Sequence, residues 1–367
     1  MSYARARLNL GITTVGFWVL LAIAGLFGLP ARSLMPIPVE QLIPGIIVVY
    51  ILFSFPFDLW GGYMLPKRYD RWKGTYGQWF FGWLKGALAQ GVIFSASIAL
   101  LWLVFHQVKS FGWQLGYVVA VQLIFAMLQV PIARLIGRFQ VKSPTNNPNV
   151  WHSDDIGFTG GVSLMGASVI PEQYQQKLSK TQLDWLLQRR QTLSHQAMNV
   201  WGILGAIAFN TLGFIAVKSL TGVTFSHPVD LLTLIWGMSL WSFLGVLVLP
   251  TLSQKAVLGL DQLSVQRQSG KASSLEITDL IQTLDRWQDE EPKRHPGIQR
   301  IFHPLPSVEQ RLNQMQAPAS STTTLPLTWH IARRALFLSW PFMGLLNRAV
   351  HCNVGRPDLW VFLPCEG

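Results

Sequence analysis

Charge is what this sequence has least of. Asp, Glu, Lys and Arg make up 13% of its 367 residues, about half of what a soluble domain carries. Such a chain cannot clothe a large water-facing surface. Half of its residues are hydrophobic and 16 are Trp, and apolar runs of about 20 residues recur, the length needed to cross a bilayer. A polytopic membrane protein is the class that fits. Acidic residues are the scarcer sign, 18 against 29 basic, for a net charge of +11. In a membrane chain that excess reads first as cytoplasmic loops facing anionic lipid. None of the fold cues of a nucleic-acid module accompanies it, so no nucleic-acid partner is expected.

Cysteine is nearly absent too. Cys352 and Cys365 are the only two, without the C-x-x-C spacing of a metal site. They can pair if the C-terminal tail lies outside the cytoplasm and are free thiols otherwise. The eight His residues are scattered and no two lie four apart, the spacing that places two on one helix face. A hydrolase reading would draw on Ser163, Ser168, Ser194 and His195. No G-x-S-x-G or comparable phrase positions any of them beside a base.

Six spans are predicted. They run from about Leu10 to Leu29, Leu42 to Leu65, Leu84 to Phe105, Gly112 to Ile136, Val200 to Leu220 and Val229 to Leu252. The first run is too long for the core of a signal peptide and further spans follow, so it reads as a retained helix. Arg5 and Arg7 precede span one, Lys67, Arg68, Arg71 and Lys73 follow span two, and Arg134, Arg138 and Lys142 follow span four; the intervening loops carry only Arg32 and Lys109. The positive-inside rule therefore puts the N-terminus and the polar inserts in the cytoplasm, which for a bacterial cell means the inner membrane. Asp58 is an intramembrane carboxylate, open to a functional reading or to pairing with Lys67 or Arg68. Trp79, Phe80, Phe81 and Trp83 read as an interfacial aromatic belt. Asn210, alone in the middle of span five, is expected to bond a neighbouring helix.

The stretch FTGGVSLMGASVIPEQYQQKLSKTQLDWLLQRRQTLSHQAMNV, Phe158 to Val200, organises the rest. Val162 to Ile170 is rich in small and β-branched residues and stops at Pro171, as a strand does. Ser179 and Gln182 form a capping-box signature. Leu183, Leu186, Leu187 and Leu193 follow at helical spacing. This strand–helix phrase resembles the core of the integral-membrane zinc metallopeptidases, the type I CAAX prenyl endopeptidases and their bacterial heat-shock protease relatives. So does Phe55 to Gly86, where a Pro and a polar residue end span two and a basic loop leads into "G…W…W.KG".

In that family the helix carries H-E-x-x-H, two zinc-binding His on one face and a Glu as general base. The resemblance sets Arg189, Arg190 and Leu193 at those three positions. It aligns Asp261 with the aspartate of an E-x-x-A-D phrase and so puts Val257 where the third zinc ligand belongs. Ser269 to Gln288 resembles the helix that follows in the family. Pro306, Ser307, Glu309 and Arg311 fit a T-H-P-x-x-x-x-R phrase and place Leu305 at its histidine, with His303 two residues off. A guanidinium stays protonated and cannot ligate zinc. The resemblance therefore implies a scaffold without its metal: no cofactor, and no catalytic residues.

The expected architecture is mainly α, a polytopic helical membrane protein with a small cytoplasmic α+β gluzincin-like domain formed by two inserts. Its pieces are a four-helix membrane region (1–138), a strand–helix insert (139–198), two further spans (199–252), a helical piece (253–312), a linker (313–326) and a C-terminal apolar segment (327–367). That last segment contains Arg333, Arg334 and Pro341 and reads as an interfacial or partner-packed helix, or else as a seventh span. The run Asp285, Asp289, Glu290, Glu291 reads as a solvated face. The expected function is a non-catalytic pseudopeptidase acting as a binding or structural subunit of a membrane assembly. Its partners would be membrane lipids and other membrane subunits. The alternatives are a lipid or isoprenoid binder and a hydrolase of unrecognised chemistry. Arg189 and Arg190 have two possible uses. One is an internal salt bridge with Asp184, Asp261 or another acidic residue of the fold; the other is a grip on an acidic partner segment or lipid headgroup.

Overall fold

A computed structural model describes residues 2–28, 37–136, 150–153, 168–267, 273–287, 294–316, 328–349, 354–356 and 360. Among them, six helical segments are long and apolar enough to cross a membrane: Tyr3–Gly28, Val39–Arg68, Tyr76–Gln107, Phe111–Gln129, Met198–Thr221 and Val229–Arg267. They coincide with the six expected spans, and the chain is mostly helical. It has the make-up of a multi-pass membrane protein. Two compact units divide it: Met1–Gly137 with Ala206–Gly245 and Ala335–Val361, and Arg138–Gly205 with Val246–Arg334 and Phe362–Gly367.

The first unit is built on α1 (Tyr3–Gly28), α2 (Val39–Leu59), α4 (Tyr76–Gln107) and α5 (Phe111–Ile136). It also takes most of α8 (Met198–Thr221) and the first part of α9 (Val229–Arg267). Leu20, Phe27, Leu52, Phe81, Val92 and Trp113 stand exposed on these helices. Exposed apolar side chains suit a hydrocarbon solvent, where burial brings no hydrophobic gain. α1 starts at Tyr3 rather than near Leu10 because Ser2 Oγ accepts the Arg5 amide at 3.2 Å and begins the helix in its polar part. α4 starts at a capping box in which Thr75 and Gln78 each satisfy the other's backbone N–H.

Beyond Leu59 the second span continues as a π-helical turn, Trp60–Met64, and then α3 (Leu65–Arg68). The wider turn brings Gly61 and Gly62 against the chain at Val354 and Gly355. A Cβ on Gly62 would lie 2.2 Å from the Gly355 carbonyl oxygen, so only glycine permits that approach. Trp79 and Trp83 are buried in a cluster with Phe55 and Tyr63 on their flanks, so only part of the expected aromatic belt faces outward; Phe81 is 70% exposed.

Among the described residues the C-terminal segment forms no helix long enough to span a membrane and is packed within the protein. α13 (Ile331–Leu338) lasts eight residues, a short 3-10 turn Trp340–Phe342 follows, and Met343 adopts a left-handed φ of 53°. The whole run Ile331–Ala349 is buried. From Ala335 on it packs inside the first unit, with Phe337 against Phe125, Trp340 against Phe94 and Phe342 against Phe214. Non-helical backbone of this kind is tolerated among membrane helices only where protein covers it. Asn210 donates to the Ala335 carbonyl at 2.9 Å, the neighbouring-helix bond expected of it.

The second unit contains β1 (Val150–Ser153) and β2 (Ser168–Pro171), paired in parallel with Val150 opposite Ser168. It adds α6 (Glu172–Lys177), α7 (Lys180–His195), α10 (Ser274–Trp287), α11 (Pro296–Phe302) and α12 (Val308–Gln316). Eight residues of strand do not make a sheet layer. The expected α+β insert is therefore helical among the described residues apart from this one pair. Phe158–Ala167, including Ser163 and most of the predicted strand, lies outside them, as do Cys352 and Cys365.

The capping box that opens α7 is formed, Gln182 N to Ser179 Oγ at 3.2 Å and Ser179 N to Gln182 Oε1 at 3.1 Å. α7 and α10 bury their apolar faces together, Trp185 and Leu186 against Ile277, Leu280, Ile281 and Leu284. α9 does not stop at Leu252. It runs 39 residues through Pro250, roughly 58 Å at 1.5 Å per residue and about twice the thickness of a hydrocarbon core. α12 runs on to Gln316, so the expected linker begins as helix; residues 317–326 are not among those described. Asp285 is not a solvated charge but pairs with Arg294 at 3.4 Å; Asp289, Glu290 and Glu291 lie outside the described residues.

Candidate functional site

Three positions that the sequence singles out on separate segments meet in the second unit. Leu193 of α7, Val257 of α9 and Leu305, between α11 and α12, belong to one buried apolar cluster with Met198, Ala256, Leu260 and Trp329. Val257 is wholly enclosed and Leu193 nearly so. Their side chains offer carbon where coordination chemistry needs nitrogen or oxygen lone pairs. Among the described residues no group of three His, Cys, Asp or Glu stands where it could hold a metal ion.

Beside this cluster lies an ionic centre. Asp261, one turn along α9 from Val257, is fully buried. Arg189 Nε meets its Oδ1 at 2.7 Å, Arg311 Nε meets its Oδ2 at 2.7 Å, and Arg311 Nη2 reaches Oδ1 at 3.2 Å. One carboxylate thus serves two guanidinium groups. The Arg189 guanidinium also lies over the Trp329 ring, 5.4 Å from its centroid, where the ring face attracts the cation. Burial pushes the Arg311 pKa down, with the Arg189 charge pushing the same way and Asp261 opposing both.

Of the two uses open to the Arg pair, Arg189 is engaged in the internal one, and with Asp261 rather than Asp184, which is exposed. Arg190 is buried and makes contacts within the protein. His195 is exposed in the last turn of α7. His303 is buried at the end of α11, and its carbonyl accepts from Gln254 Nε2, as does that of Gln299.

Sequence reasoning missed the contribution of Trp329 and Arg334. Trp329 N donates to the Met198 carbonyl at 3.2 Å, and Gly202 leaves room for the crossing: a Cβ there would lie 2.2 Å from the Trp329 oxygen. Arg334 donates to Asn199 Oδ1 at 2.8 Å and to the Trp329 carbonyl at 3.1 Å. Burial without a carboxylate partner lowers its pKa to about 10. The signal was present: two Arg inside an otherwise apolar run require buried acceptors.

A second buried carboxylate lies in the first unit. Asp58 accepts from Trp83 Nε1 at 2.8 Å and from the Gly355 amide at 2.9 Å, and it forms an ion pair with Arg348. Neither of the expected partners holds it. Lys67 instead donates to the Tyr63 hydroxyl at 3.0 Å. Arg348 also stacks over Trp360, 4.0 Å from the ring centroid.

No family model matches the sequence, and no curated protein matches it. The chemistry of the second unit's centre stands on its own geometry. Guanidinium groups held on one carboxylate beside enclosed hydrocarbon fix α7, α9 and α12 together.

Proposed function

We propose that this protein is a non-catalytic relative of the integral-membrane zinc metallopeptidases, serving as a binding or structural subunit of a membrane assembly. The observation that carries the reading is the meeting of Leu193, Val257 and Leu305 in one core. The resemblance selects each of these positions from a different phrase, as second histidine, third ligand and later histidine. Their convergence supports a shared scaffold, and their identity supports loss of the metal from it. Arg189 and Arg311 on Asp261 then do by ion pairing what a bound cation would do for a cluster of acidic and imidazole ligands, holding α7, α9 and α12 in register. The basic residues flanking spans one, two and four favour an inner-membrane setting with the polar inserts on the cytoplasmic side.

Two measurements on the full chain test this. Elemental analysis is expected to find no stoichiometric zinc; about one zinc per chain overturns the non-catalytic reading. Affinity purification after cross-linking in membranes is expected to return a stoichiometric membrane partner. Recovery of the chain alone, at every cross-linker length, overturns the subunit role.

A further inference from the structure

Within the first unit, α1, α2, α9 and the buried C-terminal segment line a half-open pocket of about 280 Å³. Trp18 and Leu21 form one wall, Trp236 another, and Met343 lies on the side formed by the C-terminal segment; among the described residues no charged side chain lines it. An apolar cavity of about 150 Å³ holds one benzene ring, so this one takes roughly ten to twelve carbons. Gln41 contributes the one side-chain amide of the lining, in the first turn of α2 and exposed. Tyr50, deep in α2 and buried, lines the cavity as well, its ring braced by Trp18 at 5.1 Å and by the Arg348 guanidinium at 5.4 Å. Nine residues of helix separate Gln41 from Tyr50, roughly 13.5 Å along the axis. That is close to half of a hydrocarbon core about 30 Å thick, the depth of one leaflet.

We propose that this cavity holds a single acyl chain of a membrane glycerolipid, its ester oxygens at the Gln41 amide and its chain running down to Tyr50. The uncharged lining offers nothing to an anion, a sugar or a charged peptide. All the helices that wall it are among those able to cross a membrane, so the medium around it is hydrocarbon. The length is close to one leaflet, and the volume takes roughly ten to twelve carbons of one chain. The site depends on the membrane character of these helices and is independent of the metallopeptidase reading.

Gly45 supplies the means to test it. It lines the cavity, and a Cβ built on it meets nothing within 4 Å, so a larger side chain there enters the empty space without touching the backbone. The full chain is reconstituted in vesicles of phosphatidylcholine bearing an acyl-chain diazirine, irradiated, and its adducts mapped by mass spectrometry. The wild type is expected to label at Trp18, Tyr50 or Trp236 well above the level at Phe27, which is 87% exposed and reports general lipid contact. Gly45→Leu should cut that excess by about tenfold, as filling an occupied space costs a bound chain 1–3 kcal/mol. Leu21→Trp narrows the same space from α1 and should act alike. Gly16→Leu, whose Cβ also meets nothing and whose position is outside the lining, should leave it unchanged. Labelling no greater than at Phe27, or undiminished in variants that unfold at the wild-type temperature, overturns the proposal. A prenyl alcohol that displaces the labelled lipid at one-tenth of its concentration would assign the cavity to isoprenoids and overturn the acyl assignment.

Discussion

Two buried carboxylates, Asp261 in the second unit and Asp58 in the first, solve one problem in different ways. Asp261 spends both oxygens on two Arg side chains from different helices. Asp58 divides its own among one Arg, one indole N–H and one backbone amide. The first arrangement gathers two guanidinium groups on one carboxylate among apolar side chains and aromatic faces. The second has one guanidinium and is better supplied with neutral donors. An anion shared by two cations is the more fragile design, because its removal takes a buried ion-pair partner from both of them, whereas losing Asp58 takes one from a single guanidinium.

The largest effect therefore belongs to Asp261→Ala. Breaking a buried pair by deleting one partner costs about 3–5 kcal/mol, and this deletion leaves two guanidinium groups facing each other. The variant is expected to lose the folded second unit, seen as rapid proteolysis of its helices while the membrane helices stay protected. Replacing the whole triad by Asp261→Leu, Arg189→Met and Arg311→Met should restore protection, since apolar groups of similar volume commonly equal a buried ion cluster. If the single variant stays resistant, the triad is not what holds α7, α9 and α12 together.

The two centres also differ in how much of them could be read from sequence. Arg189, Asp261 and Arg311 each fall within a short phrase with fixed internal spacing, and the capping box at Ser179 and Gln182 fixes where α7 begins. The spans are legible because hydrocarbon demands about 20 apolar residues in a row. The Asp58 centre was not legible, since Arg348 and Gly355, two of its three partners, lie in a segment near the C-terminus that has neither the length of a span nor a continuous helical period. Nothing local specifies that Gly355 must meet Asp58 across 297 residues. The run of α9 past the sixth span has a related cause. Hydropathy marks where lipid ends, and Pro250 suggests a break, but packing of Ala256, Val257 and Leu260 carries the helix onward.

Asp58→Asn comes next in size. The carboxamide keeps the shape and can still accept the indole proton, but it removes the charge opposite Arg348; a loss of about 3 kcal/mol is expected. The loss should appear in the C-terminal segment, as faster hydrogen exchange at Met343–Ala349 with α1 and α4 unchanged. Uniform exchange changes over the whole first unit would mean that Asp58 supports the bundle rather than the segment. Gly62→Ala probes the same contact sterically. A methyl 2.2 Å from the Gly355 oxygen forces the turn away, at about 1–3 kcal/mol. It should mimic Asp58→Asn in the exchange pattern at smaller amplitude.

The smallest effect is expected at Asn210, even though it is the most deeply buried amide of the fifth span. Its Nδ2 reaches the Ala335 carbonyl at 2.9 Å, yet that carbonyl also accepts the Ser339 amide at 3.0 Å inside the end of α13. Asn210→Ala therefore deletes a bond without orphaning its acceptor. Interhelical hydrogen bonds in membranes average about 0.6 kcal/mol, because the chain finds other partners when they are cut. A shift in unfolding midpoint barely above error is expected, an order of magnitude below that for Asp261→Ala. Asn199→Ala in the second unit is the matched contrast. There the acceptor itself is removed from the Arg334 guanidinium, and a bond to a charged group costs about 1.5–3 kcal/mol. If the two Asn variants prove equal, the rank order drawn from charge and from stranded partners is wrong, and packing alone sets the stability of both units.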